Sequence, residues 1–458
     1  MKTCMLLASV LSMVLAFGAL HEDVKAQPNA PSVLYIVLDD ADAETMERYM
    51  PRTTALVRDE GADFSNFYVA QAQCCPSRAT ALLGEYPHNH GVEGNQSPNG
   101  GYFGFREAGH EARTIGVEMQ EQGYITGLHG KYLNEYTTTD VPPGWSKWFA
   151  KHGQKQYDWQ ATFDGNLLHF GTGSNAYADD VTFRRANTWI SGVEAPWFEY
   201  LSPTGPHSPY DDPPIRQSGF EETFVRPPNF NELDVSDKPE HIRALPRFGG
   251  AELREVEDRH MHRARMVANI DDRIADTIGN LEASGKLANT YVVITSDNGW
   301  HEGEHRKTYS KGTPYEESAK VPLWIRGPGI SPGTQVDSPA SNVDLFATFA
   351  EIAGSVESRD GVSLLSLAQG EGTGRQRILI EGVPGSGHDF NALREQSDGR
   401  DLKYVEYESG EEELYDLDAD PWELQSLHES ADLLLLAELR LKLAALKDCS
   451  GADCRGGG

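Results

Sequence analysis

Val33-Leu34-Tyr35-Ile36-Val37-Leu38 is an unbroken apolar run, rich in β-branched residues, that stops abruptly at Asp39-Asp40. A strand covered on both faces by helices reads this way, because neither face needs polar residues. The two carboxylates then stand at the carboxyl end of a buried parallel strand, the edge where open α/β sheets bind their ligands. Tyr124-Ile125-Thr126-Gly127, Trp197-Phe198-Glu199-Tyr200-Leu201 and Tyr291-Val292-Val293-Ile294-Thr295 repeat the pattern, each followed by polar residues. Between them lie helical segments. The clearest carries Met266, Ile270, Ile274, Ile278 and Leu281 as one apolar stripe, with Asp271, Asp272 and Arg273 expected to face away.

This alternation predicts one large α/β domain over residues 27–354, a mostly parallel central sheet flanked by helices. Within it, Asp211 to Pro246 is rich in Pro, Asn and charge without a sustained apolar period, and is read as a long surface insertion near the substrate. From about Gly354 the texture changes. Asp401–Tyr407, Ser409-Gly410 and Glu413–Leu417 read as an antiparallel hairpin, and a closing helix is expected over Ala431–Leu446. Residues 355–458 therefore form a smaller C-terminal α+β subdomain with an antiparallel sheet.

The 458 residues carry 40 Lys plus Arg against 70 Asp plus Glu, a formal charge of −30, which excludes a basic nucleic-acid binder. A hydrophobic fraction of 39% supports a large folded core and excludes a disordered chain. Residues 1–26, with Lys2, the apolar run Met5 to Leu20 and then His21-Glu22-Asp23, read as a secretory signal peptide. The run falls short of the ~20 residues of a membrane span, so no stable membrane insertion is expected; an uncleaved anchor is the other reading. The expected location is secreted or periplasmic. Export makes Cys449 and Cys454 a small disulfide that staples the tail, whereas adjacent Cys74 and Cys75 can hardly bridge and are left as free thiols.

Cys74-Cys75-Pro76-Ser77-Arg78-Ala79-Thr80-Ala81-Leu82-Leu83-Gly84 is the sharpest local signal. A Cys just ahead of Pro, Ser and an apolar helical stretch sits near a helix N-terminus, where backbone N–H groups favour an anion. Arg78 adds a positive charge one turn on. Asp39-Asp40 and Asp297-Asn298 each end a buried strand and meet on one sheet edge. Three carboxylates and an amide oxygen are hard ligands, suited to Ca²⁺ or Mg²⁺ and not to zinc. Taken singly, a lone Cys is more often a structural core residue, and Asp-Asn-Gly is more often a turn.

The Cys-x-Pro-Ser-Arg string with its trailing Gly84 resembles the signature of the sulfatase family, the formylglycine-dependent enzymes of the alkaline phosphatase superfamily. Glu85-Tyr86-Pro87-His88-Asn89-His90 and Gly130-Lys131-Tyr132-Leu133-Asn134-Glu135-Tyr136 resemble its N-acetylglucosamine-6-sulfatase branch. Pro206-His207-Ser208-Pro209, Ser296-Asp297-Asn298-Gly299, Lys311-Gly312-Thr313-Pro314-Tyr315-Glu316, Val321-Pro322-Leu323 and Arg326-Gly327-Pro328-Gly329 are similar to further family blocks. The resemblance runs through nearly the whole chain after the signal segment. It implies an alkaline phosphatase-like fold, conversion of Cys74 and not Cys75 to formylglycine by a formylglycine-generating enzyme, and Ca²⁺ held by Asp39, Asp40, Asp297, Asn298 and an oxygen of modified Cys74.

The resemblance also implies a mechanism. A sulfate ester is a poor electrophile until its charge is neutralised, and Arg78, Lys131, His207 and Lys311 supply cations. Hydrated formylglycine presents two hydroxyls: one attacks sulfur as the alcohol leaves, and the second expels sulfate and restores the aldehyde. His207 or Lys311 is the expected proton donor to the leaving oxygen. Asn134, His301 and His305, with His88 and His90, are candidate contacts to the sugar. The implied substrate is a sulfated carbohydrate, foremost the 6-sulfate of N-acetylglucosamine or glucosamine.

Two positions depart from the family pattern. Leu133 stands where arylsulfatases place a histidine, and Leu83 replaces the usual hydroxyl residue before Gly84. The charge of −30 repels polyanionic glycans at long range, which points to terminal or small sulfated sugars or to a local basic funnel. The competing readings are an arylsulfatase or other carbohydrate sulfatase, a phosphomonoester or phosphodiester hydrolase with unmodified Cys74 or a different metal set, and a catalytically silent binder of sulfated glycans.

Overall fold

A computed structural model describes residues 29–194, 196–214 and 224–455. The signal segment at 1–26 lies outside the described residues. Ten strands form one sheet in the order Thr334–Val336, Ala62–Phe64, Leu323–Arg326, Thr290–Ser296, Ser32–Leu38, Trp197–Ser202, Ile125–Gly130, Lys147–His152, Trp159–Phe163 and Asn166–Phe170. The five strands from Thr290–Ser296 to Lys147–His152 run parallel, and antiparallel pairs lie towards both margins. The margin strands Trp159–Phe163 and Asn166–Phe170 mix polar and apolar residues and gave no strand signal in the sequence.

The apolar run of Ser32–Leu38 is buried along its whole length, with alternate residues serving two cores. Val33, Tyr35 and Val37 pack with Leu82, Phe346 and Phe349 on one face. Leu34, Ile36 and Leu38 pack on the other against Val267, Ile270, Ile274 and Ile278 of the long helix Gly250–Ala283. Each such aliphatic side chain stabilises the fold by roughly 1.5–3 kcal/mol. One residue of that helix differs from expectation. Asp271 is buried and accepts hydrogen bonds from the backbone N–H and the hydroxyl of Thr53, both at 2.7 Å. It faces a neighbouring turn that needs an acceptor, whereas Asp272 takes a partly exposed Arg52.

Strand register builds the functional edge. Leu38 pairs with Ser296, and the N–H of Asp297 donates to the carbonyl of Leu38 at 3.0 Å. Gly130 pairs with Ser202, and the N–H of Lys131 donates to the Ser202 carbonyl at 2.8 Å. Asp39, Asp297 and Lys131 are thus the first residues past three parallel strands.

The C-terminal part holds a four-stranded antiparallel sheet, Arg377–Glu381, Phe390–Ser397, Arg400–Tyr407 and Glu412–Asp416, which contains the expected hairpin. The closing helix spans Leu433–Lys447, starting after Asp432, whose carboxylate accepts from the Leu434 N–H at 2.8 Å. Leu436, Leu439, Leu443 and Leu446 seal it onto the sheet. Cys449 and Cys454 form the expected disulfide. The expected surface insertion at 211–246 is different in its described part: Asn229, Lys238 and Ile242 are buried. Lys238 Nζ donates to the Glu423 carbonyl (2.6 Å) and to Tyr415 Oη (3.1 Å), so this polar stretch ties the large sheet's loops to the small sheet. Among the described residues no helix is long and apolar enough to cross a membrane.

Candidate active site

The helix Cys74–Leu83 begins at the sheet's carboxyl edge and is buried throughout. It ends at Gly84, where φ is +68° and a Cβ would come 2.7 Å from Phe346. Its first two residues part company. Cys75 packs in the apolar core while its N–H donates to Asn95 Oδ1 at 2.8 Å. Cys74 instead turns to the carboxylates, with Sγ 3.6 Å from Asp39 Oδ1 and 3.9 Å from Asp40 Oδ1. Burial pushes the Cys74 thiol up to about 12 against the pull of Lys131 and Lys311, so at neutral pH it is a thiol and a weak nucleophile.

Cations interleave with the acids. Lys311 Nζ donates to Cys74 Sγ (2.7 Å), to Asn298 Oδ1 (3.3 Å) and to Asp40 Oδ1. Lys131 Nζ donates to Asp39 Oδ2 at 2.7 Å. Arg78 donates through Nε to Asp297 Oδ2 (2.7 Å) and through Nη1 to Ser202 Oγ (2.6 Å) and the Lys131 carbonyl (3.2 Å). Burial alone would raise the Asp39 carboxyl, but Lys131, His207 and Arg78 overcome it and hold it at about 2. Asp40 is likewise lowered, burial being outweighed by Lys311 and His207. Asp40 adopts φ +66°, a strained backbone for a non-glycine, fixed as its N–H donates to Asp297 Oδ1 (3.1 Å) and Asn298 Nδ2 donates to Asp40 Oδ1 (2.7 Å). His207 stands at the mouth, partly exposed. Its Nδ1 lies 2.5 Å from the Ser208 carbonyl, and its Nε2 lies 3.7 Å from Asp40 Oδ2.

Asp39, Asp40, Cys74 and His207 each bring one ligand-type atom within 4.8 Å of the others. The buried oxygens of Asp39, Asp40 and Asn298 are hard donors and fit a divalent cation of the calcium or magnesium kind. The site thus combines a helix N-terminus, a cation-lined floor and a metal-type oxygen cluster, an arrangement that can hold a tetrahedral oxyanion ester against a residue at position 74.

The other sequence-picked residues fall elsewhere. Asn134 is half-buried beside Tyr102, whose N–H donates to its carbonyl, and its Oδ1 is buried without a partner among the described residues. His301 and His305 are wholly buried: His301 Nε2 meets Thr313 Oγ1 at 2.7 Å, and His305 pairs with Glu232 at 2.8 Å and stacks on Tyr315 at 4.0 Å. Burial drives both imidazoles well below their usual pKa, and buried protein partners hold each of them. His88 joins Glu381 (2.6 Å) to the Cys449 carbonyl (2.9 Å), and His90 bonds Thr80 (3.1 Å); these too are packing contacts. Sequence reasoning missed Ser202 and Asn95. Ser202 ends a strand that the sequence did reveal, and its place on the functional edge was the available signal.

Residues 31–355 match the family described as Sulfatase, and residues 303–448 match N-sulphoglucosamine sulphohydrolase, C-terminal. The chain is 32% identical to the N-acetylglucosamine-6-sulfatase of Capra hircus, an alignment covering 93% of this chain and 85% of that protein. It shares its fold with a protein solved in complex with its substrate D-glucosamine-2-N,6-O-disulfate, at TM-score 0.78 and 23% identity, over 91% of this chain and 97% of the other. The phosphonate monoester hydrolase of Agrobacterium radiobacter has the same fold at TM-score 0.70 and 22% identity, over 92% and 96% of the two chains.

Proposed function

The chain belongs to the sulfatase family and is a sulfuric ester hydrolase; from that premise we propose that it removes the 6-sulfate of an N-acetylglucosamine or glucosamine sugar, using Cys74 matured to formylglycine and a bound Ca²⁺. One observation carries this reading: Cys74 Sγ lies among Asp39, Asp40 and Lys311 while its neighbour Cys75 faces the apolar core. The 32% identity to the goat enzyme across most of both chains supports the choice of sugar. The proposed partners are a sulfated carbohydrate and, during maturation, a formylglycine-generating enzyme; the proposed location is secreted or periplasmic.

Each side chain then has a task. Asp39, Asp40, Asp297 and Asn298 would hold Ca²⁺, which when bound supplies positive charge for the ester oxygens. Formylglycine at position 74 would supply an oxygen nucleophile, which a thiol pushed up to about 12 does not replace at neutral pH. Arg78, tied to Asp297, Ser202 and the Lys131 carbonyl, fixes the floor. Lys131 and Lys311 carry charge to the reacting end of the ester. For His207, an Nδ1–H donated to the Ser208 carbonyl leaves Nε2 facing Asp40, where its protonated form would hand a proton to the leaving alcohol.

The test is sulfate release, followed by ion chromatography, from N-acetylglucosamine-6-sulfate with protein co-produced with a maturation enzyme and supplied with Ca²⁺. Release by the wild type and none by Cys74→Ala is the expected result. Faster phosphate release from the matching phosphate ester, or equal rates for the two proteins, would overturn the reading.

A further inference from the structure

The segments around Lys311 enclose a second cavity, of about 190 Å³, whose wall includes Gln73, beside Cys74, and His241, Lys307, Lys311, His388 and Tyr407. Among the described residues no carboxylate lines it. That is contrary to the composition, in which acids outnumber Lys plus Arg by 70 to 40. A larger cavity of about 430 Å³, bordered by Trp300, has the ordinary character of this chain and is walled by Asp42, Glu302, Glu304 and Glu317 among others. The small one is a basic pocket in an acidic protein.

Of its two lysines, Lys311 is paired with Asp40 and Lys307 is held without counter-charge. Lys307 is half-buried, burial lowers its pKa, and among the described residues no carboxylate reaches its ammonium. His241 and His388 stack face to face with ring centroids 4.3 Å apart. Burial, His388 and Lys307 together press His241 down to about 4. A half-buried ammonium beside two packed imidazoles is unfavourable on its own and becomes favourable when an anion enters. Lys311 belongs to both sites, with Nζ 2.7 Å from Cys74 Sγ, so an ester seated at position 74 has this pocket at its side.

We propose that this cavity is a subsite for a second anionic group, so that the substrate is a 6-sulfated glucosamine-type sugar bearing a further negative charge. This rests on the reading of the Cys74 site as one for 6-sulfated sugars. The second charge has two chemical sources: an N-sulfate on the same ring or a uronate carboxylate on the neighbouring one. Either would find Lys307 and the two imidazoles as charge-assisted donors. The pocket also supplies the local basic funnel that a net charge of −30 calls for.

The test is calorimetric binding to Cys74→Ala protein, which cannot turn substrate over. The three probes are N-acetylglucosamine-6-O-sulfate, glucosamine-2-N,6-O-disulfate and a uronate-linked N-acetylglucosamine-6-O-sulfate disaccharide. At least one dianionic probe should bind about tenfold more tightly than the monoanion, the gain expected of one charge-assisted contact. Adding Lys307→Gln or the surface change His388→Gln should bring that ratio close to one, and the probe that loses its advantage identifies the source of the second charge. Equal affinities for all three probes, or a ratio unmoved by both variants, would overturn the subsite alone. No binding of any probe, with no sulfate release by the wild type, would overturn the sugar reading and the subsite with it.

Discussion

Lys311 Nζ stands 2.7 Å from Cys74 Sγ although 237 residues separate them in the chain. The contact joins the start of a buried helix to a loop that follows a different strand, and it puts a fixed positive charge where an oxygen of the proposed formylglycine would replace the sulfur. Burial would lower the Lys311 pKa, but the Asp40 carboxylate raises it, so the ammonium stays charged.

Lys311→Ala should therefore lower kcat/KM by about 10²–10³, the usual effect of deleting one preorganised donor to developing charge. The loss should fall mainly on kcat. Steady-state sulfate release measures it, and a wild-type kcat/KM would remove Lys311 from the site.

Adjacent cysteines should behave oppositely. Cys74→Ala should abolish turnover, and mass spectrometry of the wild-type peptide should find the aldehyde at position 74. Cys75→Ala should keep activity and lose about 1 kcal/mol of stability, since Cys75 only fills the core. Equal loss of turnover in both variants would sink the assignment of the modified residue.

The sheet, the functional edge and Cys74 were legible because each has a local cause. Val33–Leu38 reads as a doubly covered strand because the run is short, β-branched and stopped by Asp39-Asp40. Which strand lies beside it was not legible, because the pairing of Leu38 with Ser296 is set by packing across more than half the chain. Asp271 misled for a related reason. Its place on the helix points it away from the apolar stripe, but Thr53 offers it two donors there. His301 and His305 look like site residues in sequence, standing just past Asp297-Asn298. Thr313 and Tyr315, on the loop that follows, and Glu232, 73 residues before His305, hold them, and the sequence gives no sign of that loop folding back.

Glu232 should give the fold a measurable pH dependence. Burial lifts its carboxyl from 4.5 to about 8, with Lys238 only partly opposing. The folded state then keeps a proton that the unfolded chain releases. The stability this contributes is fully present below about pH 4.5 and is lost as the pH rises towards 8. Urea unfolding midpoints for Glu232→Gln should fall less steeply over that range than those of the wild type; parallel curves would count against the shift.

The disulfide closes a short loop whose Cys449 carbonyl accepts from His88 Nε2 (2.9 Å) and Asn89 Nδ2 (3.0 Å). Replacing Cys449 and Cys454 with Ser should cost about 2 kcal/mol, the small loop-closure effect of so short a ring, with kcat/KM retained. Thermal unfolding and sulfate release together check this. A collapse of activity at unchanged stability would show that the tail reaches the site.

Asp297 carries two burdens, so its substitutions separate them. Its Oδ1 accepts from the Asp40 N–H and its Oδ2 from Arg78, and it is buried. Asp297→Asn keeps the shape but removes the charge, leaving Arg78 without its buried counter-ion, a loss on the order of 3–5 kcal/mol. It should also weaken Ca²⁺ binding at least tenfold if the carboxylate is a ligand. Calorimetric Ca²⁺ titration of folded Asp297→Asn protein decides between the burdens: lower stability with undiminished Ca²⁺ affinity would make Asp297 the anchor of Arg78 and remove it from the metal site.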